Sequence, residues 1–109
     1  MEKLNLKMTI DRPIGYIDSF NNIYPINYGF VPGIIGGDGE EQDVYVISKK
    51  VNKPLKEFEG ELIAIINRKD DVETKWVVSS VGEHYSAEEI MEEVHFIEQY
   101  FDSAVELIN

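Results

Sequence analysis

The alternation of Leu4, Leu6, Met8 and Ile10 with Asn5, Lys7 and Thr9 constrains this chain more than any other feature. A period of two places every apolar side chain on one face of an extended strand and matches no helical stripe. Three more short runs read as strands: "VYVIS" (44–48), "ELIAIIN" (61–67) and "KWVVSS" (75–80), the last two joined by "RKDDVET" as a hairpin turn. The first strand is expected to stop at "DRP", because Pro13 has no donor for the ladder. Only one helix start stands out. "SAEE" (86–89) is a capping box with Ser86 as N-cap and Glu89 at N3. Behind it Ile90, Val94, Ile97, Phe101 and Ile108 share one stripe, with Ala104 and Val105 beside them, so the helix is expected to continue through these residues and pack on the strands. Strands followed by a single C-terminal helix predict an α+β fold, mainly β: a curved sheet or small open barrel with the helix laid across it.

Composition narrows the function classes. With 109 residues, 43% of them hydrophobic, the chain is expected to form one domain over residues 1–109. It has no cysteine, which removes disulfides, thiolate nucleophiles and Cys-type zinc sites and fits a cytoplasmic location. The opening "MEKLNLKMTI" lacks the continuous apolar core of a signal peptide. The longest apolar run, "LIAII" at 62–66, falls far below the ~18 residues of a membrane span, so no membrane association is expected. The net charge is −11, and residues 83–109 hold eight acidic side chains and no Lys or Arg. These read as a solvated helix face, and without a basic stripe nucleic-acid binding is not expected.

Residues 13–42 are rich in Gly, Pro, Asn and Asp and read as a long irregular stretch, a form that is commonly functional. Three groups there and beyond carry possible chemistry. "GGDGEEQD" (36–43) places Asp38, Glu40, Glu41 and Asp43 in one bend; it is either a solvated Asp-Gly turn or a cradle for a hard cation. "KDDVETK" (69–75) sets Asp70, Asp71 and Glu73 on a second turn closed by Lys75. If both turns meet, the carboxylates form a bowl that calls for cations; otherwise they are two unrelated turns. "YPINYG" carries Tyr24 and Tyr28, which are either half-buried loop anchors or, with Arg12, donors to phosphate oxygens. The spacing of His84 and His95 does not suit a helical metal pair, and no nucleophile elbow, Walker loop or dinucleotide fingerprint is present. Metal-activated water is the chemistry these residues suit.

In order, "YPINYGFVPG", "GGDGEEQDVYV", "KDDVETK" and "HFIEQYF" resemble the soluble family I inorganic pyrophosphatases over roughly residues 10–101, with Asp38 to Asp43 similar to that family's D-G-D-x-x-D signature. The resemblance implies an OB-like barrel, Mg²⁺-dependent hydrolysis of pyrophosphate, with Mn²⁺ or Co²⁺ as other possible metals, and self-association into a homo-oligomer. It implies Asp38, Asp43, Asp70, Asp71 and Glu73 as metal ligands, Glu40 as the water-orienting base, and Arg12, Tyr24, Tyr28, Lys75 and Tyr100 as phosphate-facing groups. The chain departs from the pattern in four places: Glu40 replaces the second Asp of Asp-x-Asp, the turn between Asp71 and Glu73 is shortened, Phe101 follows Tyr100 where a Lys is expected, and the segment before "YP" is short. These departures imply slow turnover, or a module derived from this fold that binds metal and phosphate, or a protein partner, without catalysis. A different phosphoanhydride as substrate is a third possibility.

Overall fold

The computed structural model describes residues 4–69 and 73–108. In chain order it contains β1 (Asn5–Arg12), β2 (Tyr28–Ile35), β3 (Glu41–Val46), β4 (Glu57–Arg68), β5 (Thr74–Ser79), helix α1 (Ala87–Glu98) and β6 (Ser103–Leu107). Hydrogen bonding runs β1-β2-β3-β5-β4 and returns from β4 to β1, so five strands close a barrel, with β3 and β5 its parallel pair. β4 is long enough to serve two neighbours on one edge: residues 57–61 pair with β1, and 64–68 pair with β6. Among the described residues no helix is long and apolar enough to cross a membrane.

Side-chain alternation sorts the apolar residues into two layers. Leu6, Met8, Ile10, Val31, Val44, Val46, Leu62 and Val78 form one buried cluster to which all five ring strands contribute, so this cluster fills the barrel. On the outer face of the same strands, Tyr28, Tyr45, Ile66 and Val77 pack with Ile90 and Val94 of α1. Val44 and Tyr45 are neighbours in sequence and both fully buried, one inside the barrel and one under the helix.

The capping box forms as the sequence predicts, Glu89 N donating to Ser86 Oγ at 3.1 Å and Ser86 N to Glu89 Oε1 at 2.8 Å. The helix, however, ends at Glu98, well short of the expected stripe. Residues 103–107 are extended instead, because the edge of β4 at 64–68 offers backbone groups that a strand can satisfy and a helix cannot. Val105 therefore packs as a strand residue against the outer-face cluster, and the helix is an internal element rather than the C-terminal one. The expected irregular stretch is corrected as well, since β2 occupies 28–35. Its Pro32 and Gly33 sit where the β2–β3 register shifts between Val31 and Ile35, which is where a strand tolerates proline.

Gly29 marks the tightest approach in the barrel. A Cβ there would lie 1.8 Å from the Thr9 carbonyl oxygen. Since the neighbour is backbone, it has nowhere to retreat, and Gly29→Ala is expected to cost about 3 kcal/mol, read as a lower urea midpoint with unchanged cooperativity.

Candidate active site

A break in strand parity builds the first wall of the site. Leu6, Met8 and Ile10 point into the barrel, so simple alternation would send Arg12 inward too. The β1–β2 register instead shifts between Ile10 and Arg12, and Arg12 becomes the cross-strand partner of Tyr28 on the outer face. There Arg12 Nη1 donates to the Tyr24 hydroxyl at 2.6 Å, and its guanidinium lies 5.6 to 5.7 Å from the ring centres of Tyr16, Tyr24 and Tyr28. Tyr24 packs edge-on against Phe96 of α1 at 4.9 Å. The 16–24 segment is braced by Asp18, whose carboxylate accepts from the backbone of Phe20 and Asn22 at 2.9 Å each. Asn22 in turn accepts from the Tyr100 hydroxyl at 3.2 Å, tying this loop to the residues after α1.

These groups enclose a cleft of about 520 Å³ lined by Arg12, Asp18, Phe20, Asn22, Tyr24, Tyr28, Tyr45, Arg68, Lys75, Ile97, Tyr100 and Phe101. Lys75 anchors one end. It is buried, its Nζ lies 2.5 Å from Asp43 Oδ2 and 3.1 Å from Glu73 Oε1, and the Tyr28 ring centre is 5.9 Å away. Gln42 explains why these carboxylates meet: its buried amide donates to Thr74 O at 2.7 Å, locking the start of β3 to the start of β5. Burial, then the neighbouring Asp43, raises the Tyr28 phenol far above its ordinary range, so it is a neutral donor hydrogen-bonded to Asp43.

Asp38 reaches the same end from the glycine-rich turn. The Glu40 backbone N–H, donating at 3.0 Å, and a hydrogen bond with Glu73 hold Asp38 below the usual carboxylate range, while burial and Asp38 push Glu73 up. The two carboxyls thus lie within hydrogen-bonding reach of each other, a crowding of acidic groups that a divalent cation can relieve. Mg²⁺ is ordinarily held by one or two carboxylates, with waters and substrate oxygens completing its shell. The Asp38–Glu73 pair supplies oxygen donors of the kind such an ion takes, although among the described residues no three acidic or histidine side chains form a group that could hold a metal.

The fold thus gathers Arg12, Tyr24, Tyr28, Lys75 and Tyr100 around the cleft, with Asp38, Asp43 and Glu73 at its Lys75 end. Glu40 stands exposed on the turn and does not line the cleft. Asp70 and Asp71 lie outside the described residues. Sequence reasoning missed Arg68, Tyr45 and Glu98. Arg68 donates to Glu98 through Nε at 3.0 Å and Nη2 at 2.7 Å, and Tyr45 and Ser103 hydroxyls donate to the same carboxylate at 2.6 and 2.7 Å. A signal was present. Ile90, Val94 and Glu98 recur every four residues, which puts a carboxylate on the buried stripe and demands a buried cation.

A closed five-stranded barrel carrying one helix, with cations, phenols and carboxylates interleaved on its outer face, defines the class of protein. Comparison with known proteins gives the family. The model of the inorganic pyrophosphatase family matches residues 2–108, and the chain belongs to that family. The inorganic pyrophosphatase of Aeropyrum pernix is 39% identical over 49 residues, covering 45% of this chain and 28% of that protein. That of Aquifex pyrophilus is 30% identical over 79 residues, covering 66% of this chain and 45% of the relative, so the matches span less than half of either relative. Among solved structures, the inorganic pyrophosphatase of Ehrlichia chaffeensis shares the fold with a TM-score of 0.70 at 16% identity, covering 95% of this chain and 86% of that one. The Helicobacter pylori enzyme does so with a TM-score of 0.60 at 16% identity, covering 100% and 87%.

Proposed function

We propose that this chain hydrolyses inorganic pyrophosphate to two phosphates with the help of Mg²⁺. The observation that carries the reading is the interleaving of opposite charge at one end of the cleft: Lys75 is held between Asp43 and Glu73, with Asp38 against Glu73, while Arg12 faces the same space. Pyrophosphate is a polyanion, so it can lie beside carboxylates only when cations stand between them. Arg12, Lys75, Tyr24, Tyr28 and Tyr100 supply donors suited to phosphoryl oxygens. Asp38, Asp43 and Glu73, with Asp70 and Asp71 as further candidates, would hold the ion, and Mn²⁺ or Co²⁺ suit the same oxygen donors. Bound there, Mg²⁺ would neutralise phosphoryl charge and make a water more acidic.

In this reading the attacking water gives its proton to Glu40, which stands outside the cleft lining on the turn that carries Asp38, so the water enters from that side. The water oxygen bonds to one phosphorus while the bridging P–O bond breaks, and that bond's electrons leave with the second phosphate. Arg12 and the phenols hold the two phosphoryl groups in line. The metal-stripped protein should therefore release phosphate from pyrophosphate only after Mg²⁺ or Mn²⁺ is added. Asp43→Asn and Glu40→Gln are each expected to lower that rate by about 10²-fold or more without changing the fold. Rates near the parent in both would remove these roles.

A second reading, metal-dependent binding without catalysis, is favoured by the Phe101 ring lying 3.7 Å from the Arg68 guanidinium, where an apolar group faces a cation of the cleft. Calorimetry that finds tight pyrophosphate binding with no phosphate release would support it. The reading extends to a cytoplasmic, self-associating protein without membrane or nucleic-acid partners. The lack of cysteine, the net charge of −11 and the exposed Phe20 and Ile23 support it, and light scattering tests the self-association.

A further inference from the structure

We propose that Arg68 is a further anion-binding cation of the cleft, taking a phosphoryl oxygen on its Nη1 edge. The inference rests on the pyrophosphate reading for the identity of that anion. The chain has two arginines, and both line the cleft. The guanidinium of Arg68 is anchored on two sides and covered on a third. Nε and Nη2 make a bidentate pair with Glu98, and the Phe101 ring lies over the plane at 3.7 Å. Nη1 is turned to the Lys75 end, 3.5 Å from the Glu73 carboxylate that Lys75 also contacts.

Three physical points favour a binding role over a purely structural one. A buried Arg–carboxylate pair adds little stability compared with apolar side chains of the same volume, so folding alone gives weak reason for one here. The Glu98 oxygens already accept from Tyr45 and Ser103 as well as from Arg68, so the guanidinium sits in a fixed frame and loses little freedom on meeting a ligand. Arg68 lines the cleft together with Arg12 and Lys75, so three cationic side chains face the same space. An ordered guanidinium with an edge on a half-dry cleft recognises phosphoryl oxygens better than a mobile surface lysine does.

The test uses the full chain with ¹⁵N-labelled arginine. Two guanidinium side-chain systems are expected, distinguished by Arg12→Lys, and they are followed while methylenediphosphonate, which has no hydrolysable bridge oxygen, is titrated in with and without Mg²⁺. The Arg68 Nη resonance should shift in step with that of Arg12, and Arg68→Gln should weaken binding of the same probe by about 10- to 100-fold. Arg68→Lys should recover much of that affinity while staying less stable than the parent in urea, which a merely structural role does not predict. If Arg68→Gln fails to fold, Arg68→Met combined with Glu98→Met removes the pair together and is expected to show the same loss. An Arg68 resonance that stays put at saturation, or variants that bind like the parent, would overturn the proposal while leaving the pyrophosphate reading intact. Binding that depends on Arg68 in a protein that releases no phosphate from pyrophosphate would uphold it and overturn catalysis alone. A parent that binds no diphosphate overturns both.

Discussion

Replacing Lys75 by methionine is expected to abolish most phosphate release and to unsettle the fold at neutral pH. The Lys75 side chain is 7% exposed and lies between Asp43 and Glu73, with Asp38 hydrogen-bonded to Glu73 behind it. Removing the ammonium leaves these carboxylates to repel one another across a poorly hydrated site, at a cost of about 3–5 kcal/mol. It also withdraws a donor that would meet phosphoryl charge, worth about 10²–10³ in rate. The pH dependence separates the two effects. The carboxylates of the variant can relieve their repulsion by taking up protons, so its stability deficit should shrink as pH falls from 7 toward 5, whereas activity should not return. Urea midpoints at both pH values, beside phosphate release at pH 7, check this. A deficit that stays constant with pH would mean that Lys75 stabilises through packing of its methylenes and not through its charge.

A loss of stability of similar size is expected from Glu98→Ala. This side chain is fully enclosed and takes four donors, two from Arg68 and one each from Tyr45 and Ser103. Truncating it costs about 3–5 kcal/mol, a large share of the roughly 5–15 kcal/mol that holds a domain of this size together. It also loosens the joint between α1, β4 and β6, because Arg68 closes β4 and Ser103 opens β6. Burial pushes the Glu98 carboxyl up, but the hydrogen bonds from Arg68, Tyr45 and Ser103 outweigh it and hold the pKa below its ordinary 4.5. A depressed carboxylate adds stability that is fully present above about pH 4.5 and lost as pH falls through the folded-state value. The parent should therefore lose stability in acid more steeply than Glu98→Ala does, and the two curves should converge at low pH. Parallel curves would show that Glu98 is not ionised in the fold.

The strands of this protein were legible where one buried face gave alternation, as in β1, or where two buried faces gave a short apolar run, as in β4 and β5. β1 follows its alternation to Ile10 and ends at the residue before Pro13, and β4 and β5 lie close to where their apolar runs predict. β2 was not legible, because Gly29, Pro32 and Gly33 interrupt it with residues that ordinarily signal turns. Their reason is tertiary: Gly29 makes room for the Thr9 carbonyl, and Pro32 with Gly33 occupies a break in the ladder. The end of α1 misled for the opposite cause. Phe101, Val105 and Ile108 continue a helical spacing, but the β4 edge makes better use of residues 103–107 as a strand.

Local residue chemistry alone determined a mainly β chain, a capped helix after residue 86, two acidic turns and a pair of phenols near an arginine, since pattern, propensity and charge are properties of neighbouring residues. Only the closed barrel decided that Asp38, Asp43, Glu73 and Lys75 share one place, through the parallel pairing of β3 with β5 and the amide of Gln42 between them. Only the register shift in β1 decided that Arg12 faces the cleft and not the core. Glu98 and Arg68 lie thirty residues apart, and their pairing follows from how the helix is laid on the sheet. Such contacts depend on strand order and register, which are set by burial summed over the whole chain and are written in no single segment of it.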